Sequence, residues 1–210
     1  MPRAAAHPDV RQAILDASTA LMERYGYKKM TIDDIAQEAG IGKATIYGYF
    51  ENKQEVGLAV IEGYQSAVRA KQREIQAQPL EPGDKLRQIV ILRVMMAFDI
   101  ASRYCQSLDD SLAALKPLVL RRRGRYSEEE AQIVAQVIEE GIRQGLFRTK
   151  DPLESARTIL TCVSGLMPYT LSPRELSQRE EVLAQTQRVL DLVFEGIVGS
   201  GTDGPGKRRG

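Results

Sequence analysis

Apolar residues recur along this chain at steps of three and four, the spacing that places them on one side of an α-helix. Val10, Ala13, Ile14, Ala17, Leu21 and Tyr25 make one such stripe and Gly26 closes it, which predicts a first helix over residues 10–25. Thr31 and Asp34 then stand at the spacing of a capping box, in which a hydroxyl and an acidic side chain satisfy free N–H groups at a helix start. A second helix is therefore expected from about Ile32. Its inward face is Ile32, Ile35, Ala36 and Ala39; Ala36 leaves room for another helix to cross closely, and Gly40 ends the run. Ile41 and Ile46 are spaced to plug the angle to a third helix, which turns Lys43, Ala44, Thr45, Tyr47 and Gly48 outward. Asn52 with Glu55 supplies the next cap, starting a longer helix through Val56, Val60, Tyr64 and Val68 to about Ala77.

Residues 79–83 read as a loop. Residues 85–104 follow and are apolar nearly all round their centre, from Val90 to Phe98, as in a helix surrounded by other helices. Ser127 with Glu130, Asp151-Pro152 and Ser172-Pro173 each combine a cap with a helix start. They predict helices near 127–145, 152–169 and 173–198, with a shorter one near 110–123. No strand-period alternation of any length and no internal repeat occurs, so the expected class is all-α. Residues 199–210 hold five glycines and end in Lys207-Arg208-Arg209, the composition of a disordered tail.

Two short helices folded around a tight turn are how many proteins present a helix to the major groove of DNA. Thr31, Ile35-Ala36, Ala39-Gly40-Ile41, Thr45-Ile46-Tyr47, Tyr49-Phe50 and Lys53 stand in the order and spacing of the signature of the TetR/AcrR family of bacterial transcriptional regulators, which this chain resembles. Two positions depart from that pattern. Gly42 replaces a frequent capping serine, a change worth a few tenths of a kcal/mol. Gly48 replaces a larger residue, which removes about 1 kcal/mol of helix propensity relative to alanine and one potential base contact. The resemblance, taken with the outward face of the third helix, assigns Thr31, Thr45, Tyr49 and Lys53 to phosphates and Lys43, Ala44, Tyr47 and Gly48 to bases. It implies a three-helix helix-turn-helix domain over residues 1–55. Residues 56–198 would then form a helical domain that binds a small molecule and makes a homodimer, followed by the tail.

Composition permits this reading. A chain of 210 residues, 43% hydrophobic, can bury one large core or two small ones. Its net charge is +1, and residues 1–55 carry seven Lys/Arg against eight Asp/Glu, so DNA affinity must come from local placement of charge and dipoles. Lys116 to Arg125, with Arg121-Arg122-Arg123, is a rival nucleic-acid feature, read instead as a solvated helix end whose cations suit the carboxyl-terminal dipole. Catalysis has no visible constellation: His7 is the sole histidine, and no nucleophile-elbow, phosphate-loop or zinc pattern occurs. The expectation is a non-enzyme with no cofactor and no metal. Cys105 and Cys162 make no disulfide framework and are each expected as small core residues. No apolar run has the length of a membrane span or follows a signal-peptide pattern, which places the protein in the cytoplasm without a membrane partner.

The final helix carries a stripe of Leu183, Thr186, Leu190, Val193, Phe194 and Ile197, flanked by Val182 and Val189, and the helix before it offers Ile159, Val163, Leu166 and Met167. Two such helices from each chain would build an isologous four-helix interface. The stripe could equally pack on its own domain; dimerisation carries more weight because palindromic operators require it. On the central helix, Met95, Met96, Phe98, Asp99, Arg103 and Tyr104 offer an apolar wall with a few polar groups, and Leu166, Met167 and Tyr169 beside Pro168 offer an opposite wall. A structural Asp99–Arg103 ion pair at i,i+4 explains those two residues equally well. The reading is a repressor released from a palindromic double-stranded operator by an unidentified small-molecule effector. The alternative is a DNA-binding activator or architectural protein without an effector.

Overall fold

The computed structural model describes residues 8–103, 128–167 and 178–197, and the chain is all-α. Its helices are α1 (Pro8–Tyr25), α2 (Ile32–Glu38), α3 (Lys43–Tyr49), α4 (Lys53–Gln76), α5 (Pro82–Arg103), α6 (residues 128–143), α7 (Pro152–Cys162) and α8 (Arg179–Ile197). The short helix expected near 110–123 lies outside the described residues, as do His7, Tyr104, Cys105, the Lys116–Arg125 run, Ser127, Tyr169, Ser172-Pro173 and the tail. Among the described residues no helix is long and apolar enough to cross a membrane.

The first four helices form where their caps and stripes place them. Thr31 Oγ1 accepts from the Asp34 amide at 3.2 Å while the Thr31 amide donates to Asp34 Oδ2 at 2.8 Å, completing the capping box of α2. Gly40 sits at φ +67°, and the amides of Gly40 and Ile41 return to the carbonyls of Gln37 and Ala36 at 3.2 and 3.0 Å. This double closure, with glycine in the left-handed region, sets the angle at which α3 leaves α2. Asn52 caps α4 by accepting from the Glu55 amide at 3.0 Å, and the Glu55 carboxylate returns to the Glu51 amide at 2.9 Å.

Two helix bounds differ from expectation. Proline is accepted in a first turn, so α5 starts at Pro82 rather than Lys85, and the Lys85 amide already closes on Glu81 at 3.0 Å. α7 stops at Cys162, tightens into a 3₁₀ turn over Val163–Leu166, and reaches Met167 in extended conformation rather than running to 169. The residue before a proline is pushed out of the helical region, and Pro168 follows Met167. α8 runs from Arg179, with the Gln178 carbonyl accepting from the Glu181 and Val182 amides, both at 3.1 Å, and the start expected at 173 lies outside the described residues.

Two apolar clusters result. The N-terminal one is centred on Ile14, Leu21, Met30, Ile35, Ile46 and Val56, and is extended by Val60 and Ile61. The other gathers Leu86, Ile89, Val90, Val94, Ala131, Val134, Ile138, Ile159 and Leu190 from α5 to α8. α4 belongs to both: its first turns close the N-terminal cluster, and its last turns are tied to α6. Arg69, Gln72 and Gln76, on one side of α4, meet Glu129 at 3.0 Å, Glu130 at 2.7 Å and Gln136 at 2.7 Å.

Candidate nucleic-acid interface and effector site

α3 has one buried side chain in its core-facing position, Ile46, and around it Lys43, Ala44, Thr45, Tyr47 and Gly48 are all exposed. Tyr47 is 55% exposed, unusual for an aromatic side chain of its size with an apolar core so near. The face is fixed from behind: Phe50 is buried, and the Arg11 guanidinium lies 5.5 Å from its ring centroid. Lys43 forms a salt bridge with Asp33 of α2. Both partners are exposed, so the bridge contributes little to stability and is readily exchanged for a phosphate or a base edge. A second exposed bridge, Arg24–Glu38 at 3.1 Å, ties α1 to α2.

The residues assigned to phosphates separate into two kinds. Thr45 is exposed and Tyr49 half-buried beside it. Thr31 and Lys53 already spend their protons inside the protein. The Thr31 hydroxyl donates to Asp34 Oδ2 at 2.8 Å. Lys53 Nζ donates to the carbonyls of Tyr27, Lys28 and Met30 at 3.2, 3.2 and 2.9 Å and lies 4.7 Å from the Tyr27 ring centroid. Partial burial lowers the Lys53 pKa. In this geometry Lys53 braces the α1–α2 turn against the start of α4, in place of the free phosphate cation that the sequence suggested. The pattern of apolar residues also missed Tyr27 and Met30, which lie in that turn and are buried in the N-terminal cluster. Tyr27 burial raises its pKa. Their position between two helices, outside any 3.6-residue stripe, hid them.

In the second half, the stripe expected at a dimer seam turns inward. Ile159, Val163, Thr186 and Leu190 are buried within one chain, and Leu183, Val193 and Phe194 are half-buried against the same core. Phe194 lies 6.0 Å from the Phe147 ring and beneath the Arg87 guanidinium at 4.8 Å. The helix stripe thus serves its own core, because α5 and α6 supply the apolar partners that a final helix needs. Nothing is described of the Ile197 side chain. The exposed sides of these two helices carry Thr158, Thr161, Cys162 and Gly165 on α7 and its 3₁₀ turn, and Arg188 and Leu192 on α8. Leu192 is 69% exposed. Cys162, expected in the core, is exposed, because Ile159, Leu160 and Val163 take the inward positions of its turn.

Of the residues expected to line an effector site, Met95 and Phe98 are buried, and Met96, Asp99, Leu166 and Met167 are half-buried. The Arg103 side chain, Tyr104 and Tyr169 lie outside the described residues. Asp99 pairs with Arg179 at the start of α8, at 2.8 Å. Beside this wall the structure places a polar cluster that the sequence did not reveal. Glu130 of α6 accepts from Gln72 of α4 at 2.7 Å and from Arg93 of α5 at 2.8 Å, one bond to each oxygen. Arg93 also approaches Met167 Sδ at 3.6 Å. These residues come from helices far apart in sequence, and each reads singly as a surface polar residue.

Residues 14–60 match the family model described as "Bacterial regulatory proteins, tetR family". The HTH-type transcriptional repressor KstR2 of Rhodococcus jostii is 27% identical over 150 residues, covering 70% of this chain and 72% of that protein. The fatty acid metabolism regulator protein of Bacillus subtilis is 22% identical over 195 residues, 88% of this chain and 93% of its own. A transcriptional regulator from Cytophaga hutchinsonii superposes with a TM-score of 0.74 at 22% identity, covering 90% of this chain and 98% of that one. The exposed α3 face, the capped turn before it and these matches agree: residues 14–60 match the DNA-binding segment of TetR-family regulators, and the chain as a whole shares the fold of solved transcriptional regulators.

Proposed function

We propose that the protein is a repressor that binds a palindromic operator as a dimer through α3 and leaves it when a small molecule binds beside α5. The observation that carries the DNA-binding part is the exposed set Lys43, Ala44, Thr45, Tyr47 and Gly48 around buried Ile46. Thr45 and Tyr49 hold phosphates, Lys43, Ala44, Tyr47 and Gly48 face base edges, and Thr31 and Lys53 shape the ends that hold the reading helix in place. Repression is favoured over activation because the similar protein of Rhodococcus jostii is a repressor by name. The working division falls within α4: residues to about 55 belong to the reading head, and residues 56–198 respond to the effector and dimerise.

Effector control rests on α4. Its start is bonded through Lys53 to the α1–α2 turn, and its end is bonded to α6 through Arg69, Gln72 and Gln76. A ligand that shifts α6 or α5 therefore moves the reading head, provided it binds the shifted arrangement better than the DNA-bound one. A tenfold preference weakens DNA binding by about 1.4 kcal/mol. The dimer seam uses the outer faces of α7 and α8, centred on Leu192 and the small residues Thr158, Thr161 and Gly165, rather than the stripe that fills the core.

Selection of bound duplexes from a random double-stranded library tests this reading. Enrichment of an inverted repeat whose half-sites lie about one helical turn or a small multiple apart is the expected result. Enrichment of a single unrepeated site, or of nothing, overturns it.

A further inference from the structure

Gln72 is completely buried, and its amide orientation is fixed because only the NH₂ end can face the Glu130 carboxylate, to which it donates at 2.7 Å. The other end, Oε1, is buried and accepts no hydrogen bond among the described residues. Two helical turns earlier on α4, the Tyr64 hydroxyl is also buried without a partner among the described residues. Burial, the Glu130 and Asp99 carboxylates and, in the opposite sense, Arg93 all act on that hydroxyl, and burial dominates to raise its pKa and keep it neutral. The two orphaned groups therefore border one cluster of α4, α5 and α6 residues. Native proteins leave few buried polar atoms unmatched, and each one calls for a partner.

The charges of the cluster are already balanced. Both Glu130 oxygens are taken, one by Gln72 and one by the Arg93 guanidinium, at 2.8 Å, and Asp99 is held by Arg179. Among the described residues, an incoming carboxylate would meet the Gln72 carbonyl and Glu130, where Arg93, Arg179 and Arg69 are already paired with Glu130, Asp99 and Glu129. An ammonium would find its countercharge neutralised by Arg93. Gln72 Oε1 can only accept, and the Tyr64 hydroxyl can accept or donate. Met95 and Phe98 of the same α5 that carries Arg93 are in the apolar core, with Leu166 and Met167 packed against it.

We propose that Tyr64 and Gln72, backed by Glu130 and Arg93, form the recognition subsite for the polar end of the effector, and that this end is an uncharged hydrogen-bond donor, such as a hydroxyl, on an otherwise apolar molecule. The proposal rests on the effector reading above and names its chemistry. A site that must satisfy buried polar groups rejects ligands lacking the matching group far more strongly than a purely apolar site does.

The test is calorimetric titration of the full chain with three probes of equal length: 1-decanol, decanoate and decylammonium. Decanol is expected to bind at least tenfold more tightly than either ion. Tyr64→Phe and Gln72→Leu should each weaken decanol at least fivefold, and Tyr64→Phe, which removes an orphaned group, should leave the melting temperature of the free protein unchanged or raised. Preference for either ion, decanol binding indifferent to both substitutions, or no decanol binding overturns the subsite. So does a lowered melting temperature for Tyr64→Phe, which would mean that a structural water already satisfies the hydroxyl. Operator titration at saturating decanol separates the two ideas: binding that is lost in Tyr64→Phe but never releases DNA leaves the subsite standing and defeats effector control.

Discussion

Lys53 shows how one side chain changes meaning between a motif and a fold. Its ammonium is held by three carbonyls of the α1–α2 turn and covers the Tyr27 ring. Hydrogen bonds to a charged group contribute about 1.5–3 kcal/mol, so Lys53→Met should destabilise the protein by roughly 2 kcal/mol. The slope of log affinity against log salt should change by less than one unit, because the charge is not a free phosphate contact. Chemical denaturation and binding at several salt concentrations check the two halves separately. Tyr64 makes a second prediction at this scale. Its folded pKa is raised above the ordinary value of 10.0, so above that pH the unfolded chain releases a proton that the folded chain keeps. Stability is then fully present below pH 10 and falls as pH rises, by up to about 1.4 kcal/mol per unit for one group. Tyr64→Phe should flatten that alkaline loss, as measured by denaturation between pH 9 and 11.

At the scale of elements, the caps carry the architecture of the reading head. Thr31→Ala removes the hydroxyl of the α2 capping box and should cost about 1 kcal/mol. Thermal unfolding reads that loss. Gly141 makes a sharper case in α6: an added Cβ would stand 2.2 Å from the Phe147 ring, which itself packs on Phe194. Gly141→Ala should therefore destabilise the protein by roughly 1–3 kcal/mol, as overpacking does. An unchanged melting temperature would mean that the ring moves freely. The caps of α2, α4 and α7 were legible in the sequence because a cap is local: Thr31 with Asp34 and Asn52 with Glu55 lie three residues apart, and Asp151 directly precedes Pro152. The stop of α7 was legible in Pro168, which disfavours helix in the residue before it, but not how many residues earlier the helix would tighten into a 3₁₀ turn. The Gln72–Glu130–Arg93 cluster was not legible, because its members are brought together only by the crossing of three helices.

At the scale of the whole molecule, the same locality explains why the fold class could be read and the interface could not. A stripe such as Thr186, Leu190 and Val193 states that a helix face is buried, but not whether its own chain or a second copy covers it. Here α5 and α6 cover it. Leu190→Asp should therefore unfold the protein through an uncompensated buried charge, a loss of several kcal/mol, rather than yield a folded monomer. Leu192→Glu, on the exposed side of α8, should yield a folded monomer with weakened operator binding. Sedimentation with circular dichroism distinguishes these results, and a dimer that survives Leu192→Glu moves the seam elsewhere.

The central claim is that the exposed face of α3 reads DNA sequence, and the most direct measurement is an anisotropy titration of a selected operator duplex and a scrambled duplex with wild type and Tyr47→Ala. Tyr47 is largely exposed, so its removal should leave the fold intact by circular dichroism. Affinity for the operator should fall by about tenfold, or about 1.4 kcal/mol, while affinity for the scrambled duplex hardly changes. Equal operator affinity in the two proteins, or an equal loss on both duplexes, would contradict the account.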